Sequence, residues 1–262
     1  MRLSPSVSLA AALITVALSS QAFAADLPPP VPAAPEWQGS ISIYGWLANV
    51  DGKFGVNGYG PVDINTSDSS SSVLADLQGV FMSSGELRYQ NFGVFGDFIY
   101  VDLGQTDTSA RGYANATANV STIIGTAALT YAVVDTPTVT LEALAGARVW
   151  SVDGSLDLGL DILGANRSVS TGDTITWVDP LIGARGRYAL SESWFLTGAA
   201  AIGGFGAGSE FMWDAAGTVG YAFTKNFAFQ LGFRGLGVNY DRNGDVIDVT
   251  AWGPLAGLTL RF

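Results

Sequence analysis

The 262 residues include no cysteine and no histidine. The first absence excludes disulfides, thiolate nucleophiles and cysteine-ligated metal. The second removes the side chain that most often exchanges protons near neutral pH. Beyond the N-terminal segment no apolar run approaches the ~18 residues needed for a membrane-spanning helix, although hydrophobic residues make up 48% of the chain. Its apolarity must therefore be spread over alternating segments. Basic residues are scarce: 12 Lys and Arg face 23 Asp and Glu, a net charge of −11, which leaves no basic surface for nucleic acid. What is abundant is glycine (33) and aromatic residues (9 Tyr, 14 Phe, 7 Trp), a composition suited to short, turn-rich strands ringed by aromatics.

Residues 1–24 read as a secretory signal, with Arg2 as its charge, Val7 to Leu18 as its apolar core and Ala22-Phe23-Ala24 as the cleavage site. The alternative, a membrane anchor, has too short an apolar core to span comfortably. Residues 25–36 carry Pro28-Pro29-Pro30, Pro32 and Pro35, too proline-rich for helix or ladder, and are expected as an extended leader. Residues 37–262 show one uninterrupted texture and are expected to form one all-β domain.

The period from Trp37 onward is two: Ile41, Ile43, Gly45 and Leu47 alternate with Ser40, Ser42, Tyr44 and Trp46, which makes a strand with one apolar face. At the other end Leu258, Leu260 and Phe262 alternate with Gly257, Thr259 and Arg261. That ending, Gly257-Leu258-Thr259-Leu260-Arg261-Phe262, resembles the C-terminal insertion signal of bacterial outer-membrane β-barrels. The Ala24-Ala25-Asp26-Leu27-Pro28 stretch and its proline-rich continuation look like the small outer-membrane barrel proteins of alphaproteobacteria. Trp177-Val178-Asp179-Pro180, Gly183-Ala184-Arg185-Gly186-Arg187-Tyr188, Gly203-Gly204-Phe205-Gly206 and Phe95-Gly96-Asp97-Phe98-Ile99-Tyr100 resemble an uncharacterised family of proteobacterial outer-membrane β-barrel proteins. This resemblance implies a fold and an outer-membrane location, and it brings no catalytic or binding residues.

Four tight connections organise the chain: Gln90-Asn91, Asp135-Thr136-Pro137, Ser191-Glu192-Ser193 and Thr224-Lys225-Asn226, each with aromatic neighbours. They suit the periplasmic rim and its girdle. Gly104–Tyr113, Asp153–Asp173 and Asp241–Asp245 are longer or more polar and are expected as extracellular loops. The count gives a closed antiparallel up-and-down transmembrane barrel of about ten strands. Twelve is the alternative if residues 53–57 and 61–65 form a hairpin in the wall, and eight is the next. Ser69–Gln78, with serines at its start and Val73, Leu74 and Leu77 on one helical face, predicts a short helix in the first long loop.

Charge sets which parity faces inward, because Arg at mid-membrane costs about 2–4 kcal/mol against lipid. Glu86, Arg88, Asp97, Glu142, Arg148, Asp179, Arg185, Arg187, Glu210, Asp214, Arg234 and Arg261 are accordingly expected in the lumen as a paired network. Gly257, Leu258, Leu260 and Phe262 are expected as the insertion signal.

Barrel enzymes such as omptin-type proteases and outer-membrane phospholipase A rely on histidine, so their mechanisms cannot operate here, and no enzyme activity or cofactor is expected. Asp241-Arg242-Asn243-Gly244-Asp245 has the first three ligand types of a calcium loop but Val246 where glycine belongs; a hairpin on Asn243-Gly244 is the better reading. Acidic outer loops would attract divalent cations only diffusely. The expected partners are outer-membrane lipid and lipopolysaccharide and the barrel-insertion machinery, with no nucleic acid. The expected role is a structural envelope barrel with a narrow charge-lined lumen; a small-solute channel and a surface adhesion module are the alternatives, and oligomeric state is open.

Overall fold

Wherever the sequence alternates, the backbone is extended, because period two is the only repeat that keeps one strand face in water and the other against apolar surroundings. The computed structural model describes residues 37–55, 61–65, 77–108, 114–162 and 165–262, all within the unit Pro35–Phe262. These residues form β1 (Trp37–Trp46), β2 (Asn49–Gly55), β3 (Val62–Asn65), β4 (Leu77–Tyr89), β5 (Phe92–Thr108), β6 (Ala114–Asp135), β7 (Val139–Ile162), β8 (Ala165–Ala189), β9 (Trp194–Gly203), β10 (Phe211–Ala222), β11 (Phe227–Arg242) and β12 (Asp245–Arg261). The signal and leader segments lie outside the described residues. So do residues 69–76 of the expected helix, and Leu77 and Gln78 open β4 instead.

Consecutive strands from β4 to β12 pair antiparallel, and β1 bonds to both β4 and β12, which closes the barrel. Twelve strands make only ten staves. β1 and β2 lie end to end along β12, from Ser40↔Arg261 to Trp46↔Leu255 and then from Asn49↔Trp252 to Gly55↔Val246. The step between them falls at Pro254: Leu47 N–H donates to its carbonyl at 3.0 Å, but proline has no N–H to return the bond. The hairpin of β2 with β3 therefore adds height to the wall rather than width. The expected count of ten stands, and twelve does not.

All four short connections are turns at one end of the barrel, with Trp37 and Phe262 beside them. Aromatic pairs ring that end: Trp37–Tyr89, Phe92–Tyr131 and Trp194–Tyr221 each have centroids 5.0 Å apart. At the far end the expected loops are largely strand. β7 continues to Ile162 and β8 starts at Ala165, so Asp153–Asp173 is mostly ladder, and the register runs unbroken from Asp153↔Thr174 to Ile162↔Ala165. Along residues 153–162 the alternation is clean, with Asp153, Ser155, Asp157 and Asp161 against Leu156, Leu158, Leu160 and Ile162; polar residues at both parities blur it only from Asn166 to Asp173. Alternation is a signal only where one face is dry. Asn243 (φ 57°) and Gly244 (φ 91°) make the two-residue turn between β11 and β12, with left-handed φ at both positions as a primed hairpin turn requires.

Inside and outside separate cleanly. Ile43, Val94, Leu129, Val178, Ile182, Leu231, Phe233 and Leu258 face outward and exposed, whereas Trp46, Met82, Ile99, Trp150, Trp177 and Leu181 are buried within. Leu260 and Phe262 also face outward, and Phe262 lies across Gly39, where an added Cβ would meet its ring at 2.4 Å. Gly257 sits on the inward parity, against Tyr44.

Candidate functional site

The barrel interior is stacked in layers, and each layer follows from how far its residue stands from the turn end of its strand. Nearest the turns, Glu142 of β7 sits between two arginines, Arg185 Nε at 3.3 Å and Arg88 Nη1 at 3.6 Å. Arg185 also reaches Glu86 at 2.8 Å, and Arg88 reaches Asp135 at 3.2 Å and the Gln38 amide oxygen at 2.7 Å. Next comes a belt of uncharged hydrogen bonds. Gln230 donates to Thr259 (2.7 Å) and accepts from Thr218 (2.9 Å), Thr218 meets Thr197 (2.6 Å), and Thr259 meets Ser42 (2.8 Å).

At mid-barrel Arg234 holds two carboxylates at once. Its Nη2 lies 3.0 Å from Asp97 and 2.7 Å from Asp214, and its Nε donates to Asp214 Oδ1 at 3.1 Å. Arg148 reaches Asp214 from the other side at 2.6 Å and donates through Nε to Thr126 at 2.8 Å. Tyr44 completes the ring, donating to Asp97 at 2.6 Å and accepting from Arg234 at 2.9 Å. Two acids thus face two arginines, all four of them buried. Arg148 Nη1 has no hydrogen-bond partner, but every carboxylate oxygen has at least one donor. That matters, because a charge taken out of water is tolerated only when its partners replace the lost hydration. A cavity of about 190 Å³ lies beside this ring, walled on one side by Ala199, Ala201 and Gly257.

Above it the interior turns apolar. Trp150 and Trp177 stack with centroids 5.5 Å apart, Tyr240 packs on Trp177 at 4.4 Å, and Trp46, Met82, Ile99, Ile124, Leu236 and Ile247 fill the surrounding space. Arginines bridge the two layers: Arg148 lies over Trp150 and Arg234 over Trp46.

The twelve residues expected in the lumen divide accordingly. Glu86, Arg88, Glu142 and Arg185 meet in the first layer, and Asp97, Arg148, Asp214 and Arg234 in the third. Asp179 is inside and fully buried, but among the described residues no cation meets it. It accepts from Ser209 N–H (2.6 Å), Ser209 Oγ (2.8 Å) and Trp177 Nε1 (3.1 Å). Arg187 and Arg261 point inward with no carboxylate partner among the described residues, and both lie over the ring of Phe195. Glu210 is a correction: it is exposed and precedes β10. The connection from β9 turns inward through Gly204, Phe205 and Gly206, all at positive φ, so Ser209 takes the buried position and Glu210 is left at the rim. Tyr44, Thr126 and Gln230 join the site unannounced by charge, although their parity, shared with neighbouring inward residues, was available to mark them. Among the described residues no group of three or more carboxylates is placed to hold a metal ion.

Asp179 anchors the 204–210 connection, and Arg242 donates to the Gly206 carbonyl from the rim. Asp179→Ala is expected to strand the Ser209 and Trp177 donors and to free this segment. Limited proteolysis of the purified barrel should then cut within residues 204–210 about fivefold or more faster, by the ~1–3 kcal/mol that an abandoned buried donor costs. Glu210→Ala should leave the rate unchanged.

No protein-family model matches this chain, and no curated protein matches it. Solved structures similar to it include Ail, the attachment invasion locus protein of Yersinia pestis, at 16% identity over 87% of this chain and 100% of that one, TM-score 0.32. The monoaromatic hydrocarbon channel CymD matches at 10% identity over 86% of this chain and 88% of that one, TM-score 0.34. Neisserial surface protein A matches at 13% identity over 87% of this chain and 98% of that one, TM-score 0.28.

Proposed function

We propose that the chain is an integral outer-membrane barrel whose role is structural, with a lumen closed to steady solute flow. The observation that carries this reading is the filling of the bore. Paired charges span it near the turns and at mid-barrel, and the cluster around Trp150, Trp177 and Tyr240 fills it beyond. Roughly eight strands enclose a space that side chains just fill, and ten is only slightly wider. The outward face supports the membrane placement: Ile43, Val94 and Leu129 are 60%, 55% and 69% exposed, an apolar belt that belongs against lipid rather than water. The aromatic ring at the turn end suits the interface with the head groups. Leu258, Leu260 and Phe262, outward on the closing strand, support recognition of this strand by the insertion machinery.

Reconstitution of the purified protein in a planar bilayer tests the closed lumen. The expected result is no steady conductance above the lipid baseline, interrupted at most by brief openings. A large, stable conductance with a size cut-off would overturn the structural reading in favour of a small-solute channel.

A further inference from the structure

Among the described residues six arginines point into the barrel, and they are not treated alike. Arg88, Arg148, Arg185 and Arg234 each have a carboxylate within 3.6 Å. Arg187 and Arg261 have none among the described residues. Instead the guanidinium carbon of Arg187 stands 4.2 Å from the ring centre of Phe195, and that of Arg261 stands 4.8 Å from the same centre. Two positive groups are therefore held as neighbours by one aromatic ring. The ring is fixed in turn: Phe195 is 1% exposed and lies against Gly220, where an added Cβ would come within 2.2 Å of it. Stacking on a ring face occupies only the plane of a guanidinium and leaves its edge N–H donors free. The Nε of Arg187 is buried with no protein acceptor.

We infer that Arg187 and Arg261 form an oxoanion-binding site at the turn end of the lumen, with Phe195 as its platform. Two guanidiniums gathered on one ring repel each other, and an anion shared between them converts that repulsion into attraction. Five donors in a planar fork on each arginine match the oxygens of a phosphate or carboxylate. The ligand is a small free anion rather than a lipid head group, because all three side chains face the interior and lipid lies outside the wall. The four carboxylate-paired arginines differ in charge rather than in free donors: Arg88, Arg148 and Arg185 each keep a buried Nη1 without a hydrogen-bond partner, but each already has an acid within 3.6 Å to balance it. The pairing of the two cations needs neither the membrane placement nor the closed lumen, so failure of either would not remove the site; only the exclusion of a lipid head group rests on the membrane placement.

The test uses inorganic phosphate titrated into the detergent-solubilised full-length barrel in a chloride buffer, followed by calorimetry. Heat-modifiable migration of each variant in a detergent gel reports that the barrel is folded. Saturable one-to-one binding is expected, displaced by sulfate. Arg187→Gln and Arg261→Gln should each weaken it about tenfold or more, as expected for loss of charge-assisted hydrogen bonds, and the double variant should abolish it. Lys225→Gln, which removes an exposed cation in the neighbouring turn, should leave it unchanged. Absence of saturable binding at millimolar phosphate overturns the inference, as does undiminished binding in a folded double variant. Equal weakening by Lys225→Gln also overturns it, because that would mean diffuse attraction to the rim.

Discussion

Asp214→Ala is expected to lower the unfolding free energy by about 3–5 kcal/mol, the usual effect of removing one member of a buried ion pair. The reason lies in how many groups share this carboxylate. Arg148 and Arg234 both bond to its Oδ2, at 2.6 and 2.7 Å, and Arg234 Nε also donates to its Oδ1. Without it two buried guanidiniums would face Asp97 alone, and Arg148, 3% exposed, would keep only Thr126. The loss should appear in urea unfolding of the vesicle-reconstituted protein, followed by the fluorescence of the buried Trp150 and Trp177. Asp214→Leu combined with Arg148→Leu provides the decisive comparison. That double variant leaves Arg234 and Asp97 as a balanced pair and fills the space with carbon, so it should recover most of the lost stability. If Asp214→Ala costs less than about 1 kcal/mol, the cluster is hydrated like a surface pair and does not brace the barrel.

How much of this was legible follows from what period two can and cannot report. It assigns a side of the wall, so Ser42, Tyr44 and Trp46 were readable as one face and Ile41 and Ile43 as the other. It carries no depth. Along β8 the inward series Ile175, Trp177, Asp179, Leu181, Arg185, Arg187 passes from an apolar layer to a charged one, and nothing in its spacing marks the boundary. The apolar filling of the far half was therefore hidden behind an expectation of a uniformly polar lumen. Pairing was hidden for a related reason. Arg148 on β7 meets Asp214 on β10, and Arg234 on β11 meets Asp97 on β5. These partners are set by the circular order of the staves and by stagger, and counting equal numbers of acids and arginines assigned Arg187 and Arg261 partners that geometry does not supply. Glu210 failed because parity was extended one residue beyond the strand, into a connection that turns inward.

The second large effect concerns the wall itself. Phe233→Arg should block assembly, whereas Gln230→Arg, three residues away on the same strand, should assemble with little loss. Phe233 is 49% exposed and packs near Trp252, with ring centroids 6.0 Å apart, on the outer face of β11. It sits midway between Phe227 at the turn end and Asn239, where that face becomes polar. A guanidinium there enters the lipid near its midplane, at about 2–4 kcal/mol. Gln230 has the opposite parity and already bonds to Thr218 and Thr259 beside the mid-barrel cavity, so a longer donor has both acceptors and room. The natural sequence makes the same distinction in adjacent residues, placing Phe233 outward and Arg234 inward. The yield of heat-modifiable, folded protein in the outer-membrane fraction is the measure, with refolding into phospholipid vesicles as its counterpart in vitro. Equal yields for the two variants would contradict the register of β11 on β12, in which Phe233 pairs with Pro254 and Gln230 with Gly257. A shift of one residue moves every side chain of that strand to the opposite face, and it would carry Arg234 out of reach of Asp97 and Asp214.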